Sequence, residues 1–187
     1  MDTGATAGER ILWSEAMNRP TTGVAAVAVL GLAVQLAAMA ANLSPQDQKF
    51  VREAAQGGLS EVMLGQMAAK KATDDGVKQF GQLMVKDHTK SHNQLKELAT
   101  TKGVRLPTEP SPEQKALAAR MDKLSEIDFD RAYMKEMVED HEKDVKEFQK
   151  EAESGRDIDV KAWAGKAVPT LETHLKLAKE TAGKLAK

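Results

Sequence analysis

From Ser44 onward the chain is cut by helix-stopping signals into four stretches of nearly equal length, and in each the apolar residues recur at spacings of three and four. Ser44-Pro45-Gln46-Asp47 sets an N-cap before a proline at the first helical position, and Phe50, Ala54, Gly57, Leu64 and Ala68 follow, so a helix is expected over about 45–72. Asp74 or Asp75 caps a second helix, about 75–101, on the spacing Val77, Gly81, Met84, His88, Ser91, Leu95, Leu98, with Gly103 as its stop. Pro107, Pro110 and Pro112 then interrupt the chain, and Ser111-Pro112-Glu113-Gln114 restarts it as a short helix to about Leu124. A third long helix, about 127–153, carries Met134, Val138, His141, Val145, Phe148 and Ala152 and is stopped by Ser154-Gly155. The fourth, about 158–185, carries Val160, Ala164, Ala167, Leu171, His174, Ala178 and Leu185, and Pro169 within it removes a donor and predicts a kink.

Short links between the first and last pairs and a long one between them describe an all-α, ferritin-like four-helix bundle with a short extra helix in the long connection. An aromatic content of 4% and the abundance of alanine, lysine, glutamate and leucine agree with helices rather than strands. Acidic and basic residues are mixed on every polar face, which argues against helices lying on a membrane. One short similarity suggests duplication: Met84-Val85-Lys86-Asp87-His88-Thr89-Lys90 resembles Met137-Val138-Glu139-Asp140-His141-Glu142-Lys143.

Ahead of the bundle, Thr21 to Ala40 holds twenty uncharged residues, with Arg19 before them and the small-x-small run Ala38-Met39-Ala40 at their end. We read residues 1–40 as a leader containing a signal peptide cleaved after Ala40, and 41–187 as the exported domain, in the periplasm or cell envelope. Ala, Val, Gly23, Gly31 and Gln35 make the run weakly apolar for a permanent anchor, so no stable membrane insertion is expected after cleavage. The retained anchor is the alternative. Met1 to Ala16 is acidic for a signal's first region, so Met17 is a candidate true start.

The full chain has a formal charge of -1, and residues 41–187 hold 25 basic and 25 acidic side chains, so nothing draws the domain to nucleic acid. The absence of cysteine excludes disulfides, thiolate metal sites and thiol nucleophiles. Any metal must be held by His, Asp, Glu or Met. Of four histidines, His88, His141 and His174 fall on the apolar seams of three different helices, and Glu61 falls on the fourth. The helix midpoints lie near 58, 88, 140 and 172, so all four residues sit within about three positions, roughly 5 Å, of mid-helix. Glu61, His88, His141 and His174 are therefore expected to converge in one layer, with His92 one turn from His88 as a possible additional ligand. Three imidazoles and a carboxylate suit zinc, iron or copper, whereas the same layer without metal would be a hydrogen-bonded network.

Asp87 and Asp140 project about 100° from their neighbouring histidines and are better placed as supporting groups. Met84, Met137, Met63 and Met67 could add a soft thioether set favouring Cu(I), and equally could simply fill the core. Gly57-Gly58 within the first helix suggests close packing of another helix, room for a bound species, or a kink. No phosphate-binding glycine loop or nucleophile elbow occurs, so hydrolase and nucleotide-binding readings lack support.

The runs Phe50 to Lys70 with Gly57-Gly58-Leu59-Ser60-Glu61, Lys78-Gln79-Phe80 to His88, Phe129-Asp130-Arg131-Ala132-Tyr133 to His141, and Pro169-Thr170-Leu171 to His174 resemble the bacterial Domain of Unknown Function 4142 family over about 45–180. That resemblance implies a ferritin-like, exported helical bundle, often labelled an outer-membrane protein, without an established biochemical role. The family's recurrent Glu and His fall here on Glu61, His88, His141 and His174. Di-iron bundles use Glu-x-x-His, but Val85, Val138 and Leu171 stand three positions before these histidines, so ferroxidase activity is not expected. Three functions follow: an exported metal-binding bundle used in metal handling or envelope stress, a non-metal structural or interaction module of the envelope, and a metal-dependent oxidase.

Overall fold

The computed structural model describes residues 43–186, so the expected signal segment and its cleavage after Ala40 lie outside the described residues. Five helices form: α1 (Pro45–Lys71), α2 (Asp75–Thr101), α3 (Pro112–Met121), α4 (Glu126–Ser154) and α5 (Ile158–Leu185). Ser44 caps α1 by accepting from the Asp47 amide, and Asp74 rather than Asp75 caps α2. A reciprocal Ser111–Gln114 capping box starts α3. That helix ends at Met121 instead of Leu124, because the next residues tighten into turns in which Lys123 and Leu124 donate to Arg120 and Met121. Gly103, at φ 67°, supplies the left-handed residue that ends α2. α5 runs unbroken through Pro169. No helix among the described residues is long and apolar enough to cross a membrane.

The two hairpins α1–α2 and α4–α5 pack most intimately within themselves and meet along the seams α1–α4 and α2–α5. Gly65 and Gly81 let α1 and α2 touch, since a Cβ on either would lie 2.7 Å from the other's carbonyl oxygen. The start of α4 sits beside the α1–α2 turn, where Asp130 accepts from the amides of Thr73 and Asp74 at 2.8–3.2 Å. Reciprocally, the α4–α5 turn sits beside the start of α1, where Asp47 accepts from the amides of Arg156 and Asp157 at 2.9 and 3.2 Å. α4 thus runs antiparallel to α1 and parallel to α2, and the connection carrying α3 crosses the length of the bundle, which is the ferritin-like arrangement.

These reciprocal caps reveal the duplication. Asp130 lies 83 positions after Asp47, and Asp157 lies 83 after Asp74. At the same offset, Asp47-Gln-Lys-Phe50-Val51-Arg52-Glu53 faces Asp130-Arg-Ala-Tyr133-Met134-Lys135-Glu136, and Val77-Lys78-Gln-Phe80 faces Val160-Lys161-Ala-Trp163. The repeat therefore relates hairpin to hairpin, α1 to α4 and α2 to α5. The shorter Met-Val-x-Asp-His likeness instead joins α2 to α4, which the repeat does not pair.

The apolar core comes in two blocks. Leu64, Val77, Phe80, Met84, Phe129, Tyr133, Met134 and Met137 fill the half near the α1–α2 turn, and Phe50, Val51, Leu95, Phe148, Val160 and Leu171 fill the half near the α4–α5 turn. In the second block Phe50 meets Phe148 edge-on, with ring centres 4.9 Å apart. Between the blocks lies a polar layer.

Candidate metal centre

Glu61, His88, His141 and His174 come one from each long helix and are all buried, with 1%, 8%, 0% and 2% of their surfaces exposed. The imidazole ring centres of His88, His141 and His174 lie 5.4–5.8 Å apart. One ring nitrogen from each histidine lies within 4.8 Å of the corresponding nitrogens of the other two. Donors bound tetrahedrally at about 2.0–2.1 Å stand roughly 3.4 Å apart, so modest inward rotation would suffice to share an ion.

The hydrogen bonds sort the ring nitrogens into committed and idle ones. His141 donates from Nδ1 to the Met137 carbonyl at 2.8 Å, the i−4 acceptor that its own helix offers, and its Nε2 has no partner. His174 uses Nε2 toward Asp87 Oδ2 at 3.1 Å, and its Nδ1 has no partner. Asp87 thus supports a histidine of another helix rather than its neighbour His88. Glu61 Oε2 lies 2.5 Å from His88 Nε2 and Oε1 lies 3.4 Å from His141 Nδ1; neither contact is aligned as a hydrogen bond, so the carboxylate is held to the histidines by charge rather than by directed bonds. Burying this many polar atoms unsatisfied costs on the order of 1–3 kcal/mol each.

The charges in the layer follow from this packing. Burial would raise the Glu61 carboxyl, but the surrounding histidines, His88 foremost, hold it down to about 2. Burial would lower His88, and the Glu61 carboxylate outweighs it and raises the imidazole. His174 is held down to about 4, chiefly by burial and against the pull of Asp87, so it is neutral at neutral pH. The Tyr133 hydroxyl, also buried without a partner, is raised by burial and then by the charge of Glu61.

Glu61 and His92 both lie outside the mutually close set, Glu61 meeting it at His88 and His141; His92 is half-buried, and its Nδ1 is a further atom without a partner. Met84 and Met137 are fully buried in the apolar block, packed among Phe80, Tyr133 and Met134. Gly57-Gly58 does not serve close packing: a Cβ on Gly57 would meet nothing within 4 Å, and one on Gly58 only His88 Nδ1, at 4.0 Å. Both glycines instead border voids. A cavity of about 570 Å³ on the α2–α5 side reaches Gly58, His88, His92 and Trp163. A smaller cleft of about 160 Å³ on the α1–α4 side reaches Gly57 and Glu61.

Asp144 borders both voids, and the sequence reading missed it. Its carboxyl is raised well above the usual range by burial and then by the charges of Glu61 and Asp140. Asp140 is likewise pushed up to about 7, first by burial and then by Glu136 and Glu61. The available signal was His141-x-x-Asp144, an i,i+3 pair that places both groups on one face of α4.

The family model described as "Domain of unknown function (DUF4142)" matches residues 32–181. No curated protein sequence matches the chain. Among solved structures, a DUF305 fragment from Deinococcus radiodurans is similar at 17% identity and a TM-score of 0.67, over 76% of this chain and 98% of that one. A chain described as CopM in the Cu(II)-bound form is similar at 13% identity and a TM-score of 0.63, over 74% of this chain and 96% of that one. At such identities the likeness is one of fold.

Proposed function

Since the chain belongs to the DUF4142 family, a domain whose description assigns it no activity, we propose a function from the polar layer itself: an exported bundle that holds one transition-metal ion through His88, His141 and His174, with Glu61 as the fourth donor. The observation that carries this reading is the pattern of idle atoms. His141 Nε2 and His174 Nδ1 are each left with a free lone pair because the opposite ring nitrogen is tied, which is how metal-binding imidazoles are prepared. A buried carboxylate in contact with His88 and His141, with no aligned hydrogen bond, supplies the anionic donor. Nitrogen and oxygen donors of this kind suit copper(II), zinc or iron(II). The fold neighbour with Cu(II) bound makes copper(II) the first ion to try. Export rests on the uncharged run Thr21–Ala40 and its Ala38-Met39-Ala40 end.

Calorimetric titration of untagged protein with copper(II), zinc and iron(II) tests the reading. Wild type is expected to bind near one equivalent, His141→Ala to lose that binding, and His92→Ala to retain it. Equal affinity in wild type and His141→Ala for every ion would remove the centre and leave the layer as a polar network that specifies packing, the structural-module alternative.

A further inference from the structure

A buried centre needs a way in, and the layer is flanked by two unequal ones. The α1–α4 cleft is bordered by Glu53, Asp140, Asp144 and Glu147 against the single cation Lys143, and Glu61 lies at its inner end. The α2–α5 cavity is larger and nearly balanced in charge, with Asp87, Asp144 and Asp159 against Lys90 and Lys166. A run of carboxylates would ordinarily be no more than a solvated helix face. Here it leads to a glutamate that is 1% exposed, with neither oxygen hydrogen-bonded. The same glutamate touches His88 on its inner side.

We propose that the acidic α1–α4 cleft is the route by which a hydrated transition-metal cation reaches the triad, with Glu61 as the carboxylate that receives it from the cleft and passes it to His88. The proposal deepens the metal-centre reading and rests on it. At about 160 Å³ the cleft has room for a cation with several of its waters. Asp140 and Asp144 hold their protons more tightly than ordinary carboxyls, so Glu53, Glu147 and Glu61 supply the cleft's charge, and charge of one sign in a low-dielectric groove concentrates cations and speeds their capture. Gly57 keeps the floor open: its missing side chain would project into empty space rather than against a neighbour, which explains why a helix-weakening residue stands there. Gly58 holds the corresponding position toward the α2–α5 cavity, next to His88.

That symmetry of voids supplies the experiment. Gly57→Leu and Gly58→Leu both gain helix propensity, the first Cβ meeting nothing within 4 Å and the second only His88 Nδ1 at 4.0 Å, so both variants are expected to fold, as far-ultraviolet circular dichroism will show. Loading of the full-length, untagged chain with cobalt(II) is followed by stopped-flow absorbance. Gly57→Leu is expected to slow association and dissociation together, by about tenfold, leaving Kd within about twofold, because a blocked path alters both directions alike. Glu53→Gln combined with Glu147→Gln should slow association by about three- to tenfold at low ionic strength, and the difference should vanish by about 0.5 M salt. Wild-type rates in Gly57→Leu, or slowing in Gly58→Leu instead, would overturn the route while leaving the centre intact. A wild type that takes up neither cobalt, zinc nor copper at equilibrium would overturn the centre, and the route with it.

Discussion

His141 and His174 are each defined by the partner of the other ring nitrogen, and that makes the supporting groups as testable as the donors. Asp87 touches His174 Nε2 from outside the triad. Asp87→Ala should therefore weaken metal binding by about 10- to 100-fold although Asp87 is not a proposed ligand, because the ring loses the acceptor that fixes its tautomer. Titration of wild type and variant against one chelator measures it, and unchanged affinity would refute the role. The pH dependence has a definite sign. His88 is raised by Glu61, so below its raised value a proton occupies the nitrogen a metal needs, and affinity should climb as pH rises through that value from about 6.5 upward. His174, held near 4, adds no such competition at neutral pH. Calorimetry at pH 6 and pH 8 distinguishes this from a pH-independent site. The convergence of Glu61, His88, His141 and His174 was legible in the sequence because midpoints of packed helices of equal length coincide. The idle and committed nitrogens were not, since they depend on carbonyls and carboxylates of neighbouring turns that periodicity does not describe. Asp144 escaped for a related reason: only the packing of α1 against α4 turns an ordinary i,i+3 pair into a half-buried carboxyl that feels the charge of Glu61.

At the scale of the elements, helix ends carry much of the specificity. Asp47 is fully buried, and burial alone would raise its carboxyl, but the Arg156 amide foremost, with Ser44 and the Asp157 amide, holds it below its ordinary value of 3.8. A carboxyl lowered in the folded state stabilises the fold above its unfolded value, and that contribution is lost as pH falls through the lowered one. Asp47→Asn should thus cost about 1–2 kcal/mol at pH 7 and much less at pH 2. Urea denaturation of both proteins at the two pH values checks this, and an equal gap at both would contradict it. Helix boundaries were readable because Ser44-Pro45, Asp74, Ser111-Pro112 and Gly155 are local signals whose geometry needs no tertiary partner. The seam of α1 was less so. Ala54 and Gly57 are only half-buried, whereas Val51, Ala55, Ser60 and Gly65 join Phe50, Leu64 and Ala68 in the interior, because the close contact at Gly65 and Gly81 fixes how α1 is turned. The hairpin repeat was present in the sequence but masked by the shorter Met-Val-x-Asp-His likeness, whose conspicuous histidines belong to helices the duplication does not relate.

For the whole molecule, the layer is a joint. One hairpin supplies Glu61 and His88, and the other supplies His141 and His174, so an ion held by all four would tie together two units that otherwise meet along looser seams. Metal at about 100 times its Kd should stabilise the fold by about 2.7 kcal/mol. For a domain of this size that is a rise in Tm of roughly 5–11 °C. Calorimetric scans with and without copper(II) measure it, and a shift that persists in His141→Ala would assign the stabilisation to another site.

The reciprocal caps have a consequence for assembly. Each hairpin turn is closed by its own capping carboxylate, Asp74 or Asp157, and by one from the opposite hairpin, Asp130 for the first and Asp47 for the second, and only the long connection through α3 makes the two hairpins parts of one chain. The contacts that close the monomer can equally be satisfied by a hairpin from another copy, so the fold carries within it the plan of a domain-swapped dimer. In such a dimer each polar layer would draw half its donors from either chain, and metal occupancy would become a property of the pair.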